Sequence, residues 1–378
     1  MDALTAIKEL GPLAEGKSGT ANQRKRLSTL AQRFILKNEA SVNNPNRHIE
    51  IKYGSREDIR RVNRRNFLGL ATGGMVAATA GAPIASEAGE LSMTTETSYA
   101  LTRPAYIDQS HLVVKDLGLV SGFYQSMLGL KVIEKSASGE VLGVGGLPLL
   151  TLTTARNAAI APRNAAGLFH TAFLMPDRTE LARWLRHAAH NNVVLDGASD
   201  HLVSEAIYLS DPEGNGIEIY ADRPHQQWKF HQDGMIEMAT LRLDLQALYD
   251  SAPDERWDGM AAGTAIGHLH LQVGDIPQAD AFYRDVLGLT LMARYPGASF
   301  FATGGYHHHL AANIWNSRGA VARADNLTGL SDYKIRFNEK ATLDAAVSKL
   351  DALEINSEKR DGGVFLRDPW GIGLTLSS

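Results

Sequence analysis

The chain has 378 residues, a formal net charge of −4, 44% apolar and 21% charged residues, and no cysteine. That length allows two or three domains, and the slight negative charge argues against nucleic acid or an acidic membrane surface as partner. The lack of cysteine excludes thiol catalysis, disulfides, zinc–thiolate sites and iron–sulfur clusters, so a metal would need nitrogen and oxygen ligands, for which 13 histidines are available.

Residues 1–63 are polar, mixed in charge and carry no readable core. Asn63-Arg64-Arg65-Asn66-Phe67-Leu68 follows, and then Gly69–Ala82, rich in Gly, Ala and Thr. The apolar run is too short and too weakly hydrophobic to span a bilayer, so no stable membrane insertion is expected. Paired arginines, a mild apolar stretch and the small-residue site Ala80-Gly81-Ala82 resemble a twin-arginine export signal. That implies the twin-arginine translocase as a partner and the periplasm as destination; a start at Met93 implies the cytoplasm instead. Residues 64–104 are read as signal and linker.

The remainder repeats itself. Leu112-Val113-Val114-Lys115-Asp116, Phe123-Tyr124 and Leu128-Gly129-Leu130 recur as Leu271-Gln272-Val273-Gly274-Asp275, Phe282-Tyr283 and Leu287-Gly288-Leu289, each 159 positions on. Each copy reads as strand, loop, amphipathic helix, glycine stop and further strands. A second pair lies between: strand Phe169–Met175 with helix Thr179–Asn191, and strand Tyr333–Phe337 with helix Thr342–Leu353. Both end in a turn, Asp211-Pro212 and Asp368-Pro369. Four βαβββ modules result, at about 105–155, 167–222, 264–316 and 329–377. The expected class is α+β, with modules paired into two curved-sheet cups. Residues 105–222 and 264–378 form two domains joined by a connector, 223–263.

Ala206–Tyr220 reads as strand, tight turn and strand. Alternation points Glu218 away from Ile217 and Ile219. Taken alone, Glu218 is a solvent-facing acid on a half-buried strand.

The doubled D-L/I-x₅-FY…LGL pattern and the single DPxGxxxE resemble the vicinal-oxygen-chelate superfamily, which includes glyoxalase I, bleomycin-resistance proteins and extradiol dioxygenases. Gly305-Tyr306-His307-His308-His309 looks most like the two-domain catechol 2,3-dioxygenase type. In that superfamily one metal ligand stands seven residues before the Asp that ends the first strand of a module. Another stands seven after the Asp of the DP turn. Applied here, the register gives Gln109, with His111 two residues on, in module 1; His170 and Glu218 in module 2; His268 in module 3; and Thr375 in module 4, whose first strand has no His. His170, Glu218 and His268 would form the facial triad of a non-haem Fe(II) oxygenase, with Mn(II) left open. They meet only if module 2 pairs with module 3 and module 1 with module 4.

The resemblance further implies His308 as the acid–base residue, placed by alternation on the face opposite His307 and His309. It implies His201 and Tyr208 as groups that hold developing charge, and His270 and His309 as substrate-binding. The expected reactants are a small aromatic diol and O2, with ring opening beside the diol; whether the protein forms a homo-oligomer is left open. A glyoxalase-like isomerase would need another acid near Ala311-Ala312-Asn313-Ile314, which has none. A non-catalytic ligand-binding protein is the remaining alternative.

Overall fold

The computed structural model describes residues 97–360 and 362–378. The leader, Arg64-Arg65 and Met93 lie outside the described residues. Among the described residues no helix is long and apolar enough to cross a membrane.

The four modules form as strand–helix–three-strand units. Module 1 holds β1 (Ala105–Val114), α1 (Leu117–Met127), β2 (Lys131–Lys135), β3 (Gly139–Val144) and β4 (Leu147–Thr154). Module 2 holds β5 (Gly167–Leu174), α2 (Arg178–His190), β6 (Gly197–Asp200), β7 (Ser204–Ser210) and β8 (Gly216–Asp222). A connector with β9 (Leu241–Arg242) and α3 (Leu245–Asp250) leads to module 3: β10 (Ala265–Gln272), α4 (Ile276–Asp280), β11 (Thr290–Tyr295), β12 (Ala298–Ala302) and β13 (Leu310–Asn313). Module 4 holds β14 (Gly329–Phe337), α5 (Lys340–Ala352), β15 (Ser357–Arg360), β16 (Gly363–Arg367) and β17 (Gly373–Ser377).

Two kinds of aspartate account for the sequence register. Asp116, Asp177 and Asp275 cap the helix after the first strand, accepting from Leu119 N at 3.0 Å, Glu180 N at 3.0 Å and Gln278 N at 2.8 Å. Each satisfies an orphan amide of the first helical turn, which fixes where strand ends and helix begins. Asp211 closes the DP turn, its Oδ1 accepting from Glu213 N and Asn215 N, both at 2.9 Å. Asp368 does the same for Trp370 N and Ile372 N, both at 2.9 Å. Counting seven residues from either kind of Asp therefore lands at a fixed point on a strand. The glycine stops work as C-terminal caps: Gly129 and Gly288 take φ of 72° and 78°, where a side chain would be strained.

The strands form two sheets. One runs β15-β16-β17-β14-β1-β4-β3-β2, the other β11-β12-β13-β10-β5-β8-β7-β6-β9. Module 1 thus pairs with module 4 through antiparallel β1 and β14, and module 2 with module 3 through antiparallel β5 and β10. Each sheet draws one module from each half of the sequence. Helix residues Val120, Tyr124, Leu181, Trp184, Tyr283 and Leu350 join Leu112, Leu152, Ile217, Ile219 and Leu271 in one apolar core. A fully buried side chain of this kind contributes about 1.5–3 kcal/mol. A second, smaller cluster lies on the other face of the nine-stranded sheet around Ala172, Tyr220, Trp228, Phe300 and Tyr306.

Three local expectations change. The amphipathic helix of module 3 is a short α4 continued by a π-helical turn, Ala281–Val286, which buries both Phe282 and Tyr283. His307-His308-His309 precede β13 instead of lying on a strand, so strand alternation does not order their side chains. The end of the presumed linker belongs to the fold: Tyr99–Thr102 forms a 3₁₀ turn with Ala100 fully buried.

Candidate functional site

His170, Glu218 and His268 stand on β5, β8 and β10, three neighbouring strands. Ala172 of β5 pairs with Glu218 on one side and His268 on the other, and His170 pairs with His270. All four polar residues share one face. Ile217 and Ile219 point to the opposite face, into the helix-covered core. That burial turns Glu218 toward the second cluster, where it is 2% exposed; it is not the solvent-facing acid that its strand alone would indicate. Irregularities in the β5–β10 pairing flank the histidines, between Ile266 and His268 and between His270 and Leu271. Such bulges re-aim side chains. Gly267 lies in the first of them, and a Cβ there would collide with the Tyr220 hydroxyl.

Among the described residues these three form the one His/Asp/Glu group whose ligand atoms all lie within 4.8 Å of one another. His170 Nε2 is 3.0 Å from Glu218 Oε2, yet off the hydrogen-bonding direction, and is a buried nitrogen without a hydrogen-bond partner. His268 Nε2 is 3.3 Å from the same oxygen. Ligands bound at about 2.1 Å and at right angles stand about 3 Å apart, so the spacing fits a divalent metal.

The electrostatics fit as well. Burial alone would raise the Glu218 pKa, but His268 and His170 outweigh it and hold the group well below the usual carboxylate range. Among the described residues no Lys or Arg pairs with this carboxylate; its ion-pair partners are the two histidines. Burial pushes His268 down to about 4, partly opposed by Glu218. Burial, reinforced by neighbouring imidazoles, also holds His270 and His308 well below their ordinary value. An ionised carboxylate beside imidazoles whose protonation is disfavoured, His268 among them, is the donor chemistry that a metal requires.

Around the triad, the His308 ring lies 4.0 Å from that of His268. Its one hydrogen bond among the described residues runs from Nδ1 to His307 Nδ1, 2.8 Å away, leaving Nε2 unpaired. His201 lies in the turn between β6 and β7. Its Nδ1 donates to the Ala239 carbonyl at 2.7 Å, so its Nε2 accepts from the Tyr208 hydroxyl at 2.7 Å. Tyr208 pairs with Glu218 across β7 and β8, and burial together with the Glu218 charge raises its pKa well above 10. His270 packs edge-on to His170 with ring centroids 4.9 Å apart, under Phe169 and Trp315. His309 is placed differently from the rest. Its Nε2 donates to the Ala100 carbonyl at 3.2 Å and its Nδ1 accepts from Thr303 N at 3.4 Å. Both nitrogens are used by the fold, which leaves none for the substrate contact expected of it.

Sequence reasoning passed over Asp222, Tyr306 and Tyr220, which are hydrogen-bonded to one another beside His307. Alternation held a signal, since 218, 220 and 222 face the same way along β8.

The Glyoxalase/Bleomycin resistance protein/Dioxygenase superfamily profile matches residues 106–219 and 265–376. The catechol-2,3-dioxygenase of Bacillus subtilis (strain 168) is 37% identical over 268 residues, 70% of this chain and 94% of that protein. Among solved structures, a putative dioxygenase from Bacillus subtilis subsp. subtilis str. 168 aligns with TM-score 0.49 and 14% identity, over 72% of this chain and 84% of the other. Glyoxalase I from Zea mays aligns with TM-score 0.44 and 15% identity, over 74% and 94%. Both halves of the profile fall on the two repeats, and the chain belongs to the Glyoxalase/Bleomycin resistance protein/Dioxygenase superfamily.

Proposed function

We propose that this protein is an extradiol ring-cleaving dioxygenase that holds Fe(II) with His170, Glu218 and His268 and acts on a catechol with O2. The observation that carries the reading is the buried pair of imidazoles and single carboxylate on one sheet face, with an orphaned His170 Nε2 and with His308, His201, Tyr208 and His270 around it. The 37% identical catechol-2,3-dioxygenase supports it. His170, Glu218 and His268 would hold the metal and would leave it open to exogenous ligands. Iron in that triad supplies the Lewis acidity and redox capacity that the reaction needs.

The chain's own residues supply the rest. His308, neutral and with Nε2 unpaired, takes the proton of a substrate hydroxyl and later returns it to the departing oxygen. The Tyr208 hydroxyl is bonded to His201 beside Glu218, and the His201 ring is anchored by Ala239, which fixes both side chains at the edge of the triad. His270 and Phe169 give the substrate ring an aromatic wall beside His170. Phe300, Trp228 and Tyr306 keep water from the back of the site. An isomerase with a second carboxylate finds no support, because β13 reads Leu-Ala-Ala-Asn.

The test is anaerobic loading with Fe(II), addition of catechol and then air. A yellow ring-fission product is expected, with loss of the product in His308→Ala at unchanged iron content. Iron-loaded protein that yields no such product from any simple catechol overturns the proposal. Loading with Mn(II) in parallel identifies the working metal.

A further inference from the structure

Behind His308 lies a hydrogen-bonded chain that nothing above uses. His308 Nδ1 is 2.8 Å from His307 Nδ1, and His307 Nε2 is 2.9 Å from Asp222 Oδ1. The other Asp222 oxygen, Oδ2, accepts from the Tyr306 hydroxyl at 2.9 Å, and the Tyr306 oxygen accepts from the Tyr220 hydroxyl at 2.8 Å. His307 is fully buried, with Trp228 packed against it at 5.3 Å between ring centroids.

The bonds in this chain have a direction. Carboxylate oxygens accept, so the Asp222 oxygens accept hydrogen bonds from the Tyr306 hydroxyl and from His307 Nε2–H. A neutral imidazole has one N–H and one lone pair, so His307 then presents its lone pair at Nδ1. Two imidazoles bonded Nδ1 to Nδ1 hold one proton between them, and the state of one dictates the other. His308 must fill that bond with its own Nδ1–H, which leaves the lone pair on Nε2.

We infer that Asp222 and His307 are positioning residues that fix the tautomer and orientation of His308, with the proton on Nδ1 and the basic lone pair on Nε2. The inference rests on the reading of His308 as the base. When the substrate O–H breaks and the N–H forms at Nε2, the imidazolium keeps its Nδ1–H bond to His307. The Asp222 charge then stands one imidazole away. This is the logic of a carboxylate that orients a histidine from behind, extended by a second ring. Tyr306 and Tyr220 lock the carboxylate in turn, and Gly267 leaves room for the Tyr220 hydroxyl.

The test reads the tautomer directly, in metal-free full-length protein labelled with ¹⁵N-histidine. The His308 signals are identified by their loss in His308→Ala. In the unsubstituted protein His308 is expected to carry its proton on Nδ1. In Asp222→Asn the amide nitrogen can donate to His307 Nε2 while its oxygen still accepts from Tyr306, which reverses the two imidazole bonds and moves the His308 proton to Nε2. In the iron-loaded enzyme the same variant should lower kcat by about 10²-fold or more, with KM and iron content within about twofold, and Asp222→Glu should restore part of the loss. A His308 proton on Nε2 in the unsubstituted protein overturns the inference even if Asp222→Asn fails to fold. So does an Asp222→Asn variant with unchanged tautomer and unchanged kcat. If His308→Ala still cleaves catechol, it is the assignment of the base that fails, while the tautomer measurement judges the positioning chain separately.

Discussion

The two sheets are built to one plan, and only one of them carries a candidate metal site. Strand pairing matches their positions residue by residue. His170 lies beside Gly216 and His270, and Asp332 beside Gly373 and His111. Glu218 therefore corresponds to Thr375, Ala172 to Lys334, and His268 to Gln109. In the eight-stranded sheet the polar group at the His170 position, Asp332, is satisfied by a neighbouring side chain. His111 Nδ1 is 2.9 Å from Asp332 Oδ2, and His111 Nε2 is 2.7 Å from Thr153 Oγ1. Lys334 stands where the nine-stranded sheet leaves the small Ala172, and it reaches Asp108 at 3.8 Å. The lesson is electrostatic. A site fit for a cation keeps a buried carboxylate without a lysine or arginine partner and a nitrogen without a hydrogen-bond partner; its counterpart supplies both from its own side chains.

The contrast can be broken first at Glu218. Glu218→Ala should abolish iron binding, measured by metal analysis. It should also lower kcat/KM by roughly 10³-fold or more, since a metal supplies several kcal/mol and each 1.4 kcal/mol is tenfold. The circular dichroism spectrum should be unchanged. Thr375→Ala should alter neither metal content nor turnover.

His308→Ala ranks next. A drop of about 10² to 10⁴-fold in kcat at constant iron content is the effect of removing a general base, and a variant that loses iron as well would assign His308 to the metal instead.

Acid should separate the two sheets more gently. Histidines whose folded pKa lies below the unfolded value of about 6.5 bind protons more readily when unfolded. His268, at about 4, and His309, pushed down by burial to about 3, are of this kind. They draw stability out of the metal-free protein as pH falls from 6.5, and their contribution levels off below those values. Thermal melts of metal-free protein from pH 7 to pH 4 should show the decline, and bound iron, which keeps its imidazole ligands unprotonated in the folded state, should raise stability at pH 7 and steepen the decline.

The smallest effect is expected from Asp332→Asn. Its pair with His111 is partly exposed, and such pairs contribute about 1 kcal/mol or less. Melting should shift slightly, and iron and activity should stay the same.

How much of this the sequence disclosed follows from the range of the interactions involved. The ligand register was readable because each Asp that sets it acts within a few residues, as a helix cap or a turn closure. The pairing of modules followed from requiring the three ligands to meet. The histidine triplet was misjudged because strand alternation was applied to residues that precede β13. Asp332 at the His170 position is masked because Glu339, which makes no side-chain cap, stands where the other modules have the capping Asp that sets the register. The Asp222–His307 pair joins residues 85 apart, and no local pattern announces such a contact. Ala100, buried against His309, was hidden for the same reason.

The module pairing also dictates an order of assembly. The sheet that carries the triad is complete once β13 has been made, from two modules adjacent in the chain, with Glu218 and His268 only 50 residues apart. The other sheet must wait for the last module, because His111 and Asp332 are separated by 221 residues. Closing so long a loop costs more entropy and slows pairing. The nine-stranded sheet can therefore fold first during synthesis, and the eight-stranded one, whose two modules lie farther apart in the chain, pairs later.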